Sequence, residues 1–171
     1  MKLGVFTPVL YAQPLEKALE YLHSRGVQMA EIGVGGCPGD KHCKPGELLE
    51  DPAKLAEFQE LFRKNEIEIS ALSAHGNPVH PDPDQAAMYD KVITDAILLA
   101  EKLGLHQINT FSGCPGDHPG AKYPNWVVCP WPNDFLKVLD YQWNEVLIPY
   151  WQKKVAFALE HGVDKIALEL H

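Results

Sequence analysis

The stretch "DKIALELH", Asp164 to His171, carries a carboxylate and an imidazole two residues apart. Ile166, Leu168 and Leu170 alternate with Ala167, Glu169 and His171, a period of two that predicts a strand. Side chains two apart in a strand share a face, so Glu169 and His171 are expected together at one strand tip. Carboxylate and imidazole are the side chains of proton transfer and of divalent-metal ligation. The plainer readings are a strand-end carboxylate for Glu169 and an unanchored terminal residue for His171.

Other reactive side chains gather in three loops. His75 lies in "AHGNP" and is placed to hydrogen-bond a small polar ligand, or else to cap backbone in a tight Gly-Asn-Pro turn. Asn77 reads as a turn residue, and His80 is a weaker candidate. Trp126 and Trp131 could form an apolar wall against a C–H surface, or a loop minicore. The motif "GCPGD" occurs twice, at 36–40 and 113–117, as stiff turns. Cys114, in the second copy, could reach a site there, but no paired base marks it as a nucleophile. Glu31, inside a strand-like run, reads as a structural polar group.

The elements that must position these residues alternate. Strand-like runs are "LGVFTPV", "VQMAEIGVGG", "IEISALSAHG", "LHQINTFSG" and "VDKIALELH". Helical runs lie between them. "LEKALEYLHSRG" has Leu15, Ala18, Leu19 and Leu22 on one face and stops at Gly26. "DPAKLAEFQELFRKN" opens with Asp51 as N-cap and Pro52 at the first helical position. "DPDQAAMYDKVITDAILLAEKLG" ends at Gly104. "NDFLKVLDYQWNEVLIPYWQKKVAFALEHG" is helical with a break near Pro149. Three junctions, "SRGVQMAEI", "EKLGLHQINTF" and "LEHGVDKIALEL", repeat a helix end, a glycine and a strand. This is the rhythm of a parallel α/β sheet. Entry turns are short. Exit loops are long, and they and the strand ends hold most of the histidines, all four cysteines, and Trp126 and Trp131. Ligands of parallel α/β folds bind at that end of the strands.

Composition sets outer bounds. The chain has 171 residues, 46% hydrophobic and 22% charged, with a formal charge of −8. The size suits one domain with a real core. The acidic balance argues against nucleic acid as partner, and no apolar run is long enough for a membrane span. The N-terminus lacks the features of a signal peptide, so a cytoplasmic protein is expected. The four cysteines include no C-x-x-C pair and are read as reduced thiols. Five strands fit either a doubly wound sandwich or part of a TIM barrel. Size favours the sandwich. The absence of a helix after the fifth strand, and of a glycine-rich phosphate cradle in "TPVLYAQP", opposes it.

The motifs "KLGVFTPVLY", "AEIGVGGCPGDKHC", "ISALSAHGNPVHPD", "NTFSGCPGD", "YPNWVVCPWP", "VLIPYWQKKVAFALEHGV" and "KIALELH" together resemble the xylose-isomerase-like TIM barrels, the sugar phosphate isomerases and epimerases. The resemblance runs along nearly the whole chain. It implies the first five strands and four helices of an eight-stranded barrel, a single partial domain over 1–171 truncated after strand 5. It also implies divalent-metal-dependent proton transfer next to a sugar carbonyl, with Mn²⁺ expected and Mg²⁺ or Co²⁺ as alternatives. Glu169 takes the place of the family's first metal-binding glutamate and would act as both ligand and acid/base. The family's other ligands, an Asp, a His and a second Glu, come from strands 6 to 8, beyond this sequence. His75, His171, Trp126 and Cys114 would line the substrate site. Two other readings stand beside this one. One is a non-catalytic half-barrel whose open edges are covered by a second copy or another chain. The other is a metal-dependent nuclease of the endonuclease IV type, against which the acidic balance argues.

Overall fold

The computed structural model describes residues 1–169. Leu170 and His171 lie outside the described residues, and with them the expectation for His171. The five strands are β1 (Gly4–Phe6), β2 (Met29–Gly33), β3 (Glu68–Ser73), β4 (Gln107–Phe111) and β5 (Lys165–Glu169). They form one sheet in the order β1-β2-β3-β4-β5, every pair parallel. A doubly wound sandwich reverses its strand order at a switch point. This sheet never reverses, so right-handed crossovers carry every helix to the same face. The architecture is part of a barrel wall.

The helices are α1 (Leu15–Ser24), α2 (Pro45–Glu50), α3 (Pro52–Lys64), α4 (Pro83–Leu103), α5 (Asp134–Asp140) and α6 (Ile148–Glu160). The four expected helical regions are α1, α3, α4 and the run from α5 to α6. A 3₁₀ turn (Thr7–Leu10) after β1 and the short α2 in the β2 exit loop are additions. Between α5 and α6, Tyr141–Leu147 are π-helical. Pro149 lacks an N–H, and its ring crowds the carbonyl four residues back. The wider π turns ahead of it are how this helix accommodates the proline.

Caps set the boundaries. Asp51 accepts from the backbone N–H groups of Ala53 and Lys54, and Asp82 from those of Asp84 and Gln85. Each helix that leads into a strand ends in the same motif. An N–H two or three residues past the helix bonds back to the carbonyl five residues earlier: Val27 to Leu22, Ile67 to Phe62, Leu105 to Ala100 and Val163 to Ala158, at 2.9–3.1 Å. This Schellman turn needs one left-handed residue. Gly26, Gly104 and Gly162 supply it with φ of 74°, 69° and 74°, and Glu66 supplies it at the α3–β3 junction with φ of 54°.

The core lies between sheet and helices. Ala30, Ile32, Leu72 and Ile108 on the strands and Ala74 just past β3 pack with Leu19, Phe58, Phe62, Ile93 and Ile97 on the helices. Burying each of the larger side chains contributes about 1.5–3 kcal/mol. The opposite face of the sheet, the barrel interior, carries polar groups instead. There Ser73 Oγ donates to Glu31 Oε1. Among the described residues no helix is long and apolar enough to cross a membrane.

Candidate functional site

Parallel pairing brings the C-terminal ends of all five strands to one rim. His75 sits two residues past β3. Its backbone carbonyl accepts from Cys37 N–H at 2.8 Å, which lays the β2 exit loop on the β3 exit loop. Gly36 makes this approach possible, because a Cβ there would stand 2.0 Å from that same carbonyl oxygen. His75 as a whole is 4% exposed, and its imidazole lies edge-on between Phe6 and Phe111, with ring centroids at 6.5 and 4.6 Å.

Glu169 ends β5, directly beside Phe111 in the sheet register. Its Oε2 lies 2.9 Å from His75 Nε2. The approach lacks hydrogen-bond alignment, so Nε2 is buried with no hydrogen bond of its own. The glutamate side chain is 65% exposed and the histidine's 6%. A shielded imidazole nitrogen thus faces a carboxylate open to the rim.

The other expected residues are distributed as follows. Asn77 braces two exit loops: its Oδ1 accepts from Cys114 N–H at 2.9 Å and its Nδ2 donates to Cys114 O at 2.7 Å. His80 Nδ1 accepts from Asp82 N–H at 2.9 Å, a turn role ahead of α4. Trp126 stacks on Trp143 at 5.6 Å and lines a pocket of about 270 Å³ that Cys114 also lines. Burial raises the Cys114 thiol above its ordinary range. Trp131 stands apart, 75% exposed. The loop bearing Trp126 is held from behind by the buried Gln142, whose amide donates to Asn125 O at 2.8 Å.

The structure adds residues that the sequence reading passed over. Phe111 touches the His75 ring and also lines the pocket. Cys37 and Tyr89 line it too. The alternation of β4, with Ile108 in the core and Asn109 and Phe111 on the other face, was the available signal for Phe111. Nothing local marks Cys37 or Tyr89.

Glu169 and His75 are an oxygen and a nitrogen donor of the kind that borderline divalent ions accept. Among the described residues no three His, Cys, Asp or Glu side chains come together as a metal site. The pair therefore fits a part of a coordination sphere.

No family model matches the chain. It is 37% identical over 172 residues to the uncharacterized protein YfiH of Bacillus subtilis (strain 168), covering 99% of this chain and 54% of YfiH. Two solved structures share the fold at low identity. IolI, solved with a bound zinc atom, has a TM-score of 0.64 at 19% identity, with 98% of this chain and 51% of IolI covered. A D-psicose 3-epimerase with D-tagatose from Clostridium cellulolyticum H10 has a TM-score of 0.54 at 18% identity, with 98% and 52% covered. The chain spans about half the length of each of these three proteins. It has the fold of the N-terminal part of a xylose-isomerase-like barrel, as its motifs led one to expect.

Proposed function

We propose that this chain supplies the N-terminal part of a divalent-metal-dependent sugar isomerase or epimerase that works by proton transfer next to a carbonyl. One observation carries the reading: the open carboxylate of Glu169 lies 2.9 Å from the shielded Nε2 of His75 at the rim where parallel α/β folds bind ligands. Fold alone hosts more than one reaction, so the assignment rests on this pair, supported by the epimerase among the structural neighbours.

Glu169 is exposed enough to meet a substrate carbon, and its Oε1 or Oε2 is the atom that would take the proton. His75 is a positioning residue. Packed between Phe6 and Phe111, its ring has one orientation, and its Nε2 faces the carboxylate. Glu169 would be a donor to the ion, with manganese the first candidate, magnesium or cobalt the alternatives, and zinc suggested by the IolI structure. When bound, the ion polarises the carbonyl and the neighbouring hydroxyl and stabilises the developing negative charge. The remaining ligands, and a second acid/base group, would come from further strands or another chain. The exposed Val155 and Leu159 of α6 and Leu168 of β5 support a covering partner there.

The test begins with the intact mass of the native gene product, which fixes how much of the barrel the cell makes. That product is then incubated in D₂O with Mn²⁺ and a panel of ketoses and aldoses, and deuterium incorporation next to the carbonyl is followed by NMR. Incorporation is expected, reduced by about 10²–10⁴-fold in Glu169→Gln, the range for loss of an acid/base group. Incorporation from no sugar, or undiminished in Glu169→Gln, overturns the reading. The 171-residue chain alone is expected to lose Mn²⁺ on dialysis.

A further inference from the structure

The described residues around the pocket beside the Glu169–His75 pair offer a ligand carbon and sulfur, and no charged side chain. The pocket's walls are the rings of Tyr89, Phe111 and Trp126 and the side chains of Cys37 and Cys114, and among the described residues no acidic, basic or histidine side chain lines it. Its amide and serine groups are engaged elsewhere. The Asn77 amide is spent on both backbone groups of Cys114. The Ser112 hydroxyl donates to Gly113 O, and the Ser112 carbonyl accepts from Trp151 Nε1–H at 2.8 Å. Glycines shape the space. A Cβ on Gly76 would meet the Tyr89 ring at 2.1 Å, and one on Gly113 would meet Val79 at 2.7 Å. The repeated "GCPGD" turn now has a common destination, since each copy delivers its cysteine to this pocket.

An anion placed here would lose its hydration and gain no cation in return. A C–H face would gain contact with aromatic carbon and polarisable sulfur. The volume, about 270 Å³, lies just below the range of drug-sized ligands and suits a small one. We infer that the part of the ligand held in this pocket is uncharged and apolar: the deoxy or C–H-rich end of a sugar, and not a phosphate or carboxylate group. The sugar in this statement rests on the proposed function, whereas the apolar character rests on the pocket.

Site-resolved thiol protection separates the two. The full chain is alkylated with iodoacetamide, and each cysteine is followed by peptide mass spectrometry. Buried Cys43 serves as the unreactive reference and exposed Cys129, outside the pocket, as the unprotected one. The probes are a ketohexose, its 6-deoxy analogue, its 6-phosphate, and cyclohexanol. The 6-deoxy sugar is expected to protect Cys37 and Cys114 at about one-tenth the concentration that the 6-phosphate requires, a difference of about 1.4 kcal/mol. Equal or better protection by the 6-phosphate overturns the inference and leaves the sugar reading intact. Protection by cyclohexanol with none by any sugar supports the apolar pocket and removes the sugar reading. Protection by no probe overturns the inference.

Discussion

Replacing Gly36 by alanine is expected to destabilise the chain far more than the same change at Gly26. Both glycines are left-handed, with φ of 69° and 74°. That conformation alone costs a residue bearing a Cβ about 1–2 kcal/mol. At Gly26 nothing lies within 4 Å of a new Cβ, so the cost ends there. At Gly36 the new Cβ would be 2.0 Å from His75 O and 2.9 Å from its carbonyl carbon. Both are backbone atoms and cannot swing aside, so the two loops must separate by more than an ångström. The 2.8 Å bond from Cys37 N–H to His75 O is then lost. Leaving those groups unpaired in a half-buried site adds about 1–3 kcal/mol. The sum for Gly36→Ala is about 2–5 kcal/mol, against about 1–2 for Gly26→Ala. Urea unfolding followed by circular dichroism measures both. In melting temperature the excess at Gly36 corresponds to about 2–12 °C, at roughly 2–4 °C per kcal/mol for a chain of this size. Equal losses for the two variants would refute the contact, and with it the account of how the β2 exit loop seats His75.

Two further predictions concern stability. Glu66→Gly should stabilise the chain by about 0.5–1 kcal/mol, because relief of the left-handed strain exceeds the added freedom of the unfolded glycine; thermal unfolding of Glu66→Gly beside Glu66→Ala, which keeps the Cβ, checks it. Stability should also fall above about pH 8.5. Burial pushes the Cys43 thiol up to about 12, whereas in the unfolded chain it ionises near 8.5. The folded state therefore keeps a proton that the unfolded state releases. The stabilisation is complete below the unfolded value and is lost by about 1.4 kcal/mol per pH unit as pH rises towards the folded one. In Cys43→Val this part of the slope should vanish, so that between pH 8.5 and 10 the wild type loses about 2 kcal/mol more than the variant by urea unfolding.

Much of the fold was legible in the sequence because its determinants are local. Alternation marked the strands, Asp51–Pro52 marked a helix start, and glycines marked three helix ends. A capping hydrogen bond or a left-handed residue acts over a few neighbours, so its sequence trace is short and direct. The α3–β3 junction escaped the glycine rhythm because Glu66 occupies the same conformation at a cost, and a strained residue leaves no compositional mark. The π-helical turns ahead of Pro149 were legible only as a break. Glu169 was singled out at its strand tip from alternation and family likeness. What tertiary structure alone decided is what faces it. Sheet order, which chain length alone would have misjudged, brings β3 and β5 round one rim and sets the His75 ring against the Glu169 carboxylate. The same packing turned Asn77 into a brace between two loops and collected Cys37 and Cys114 into one pocket. Such meetings depend on the path of every strand and loop between the partners, and no local pattern records that path.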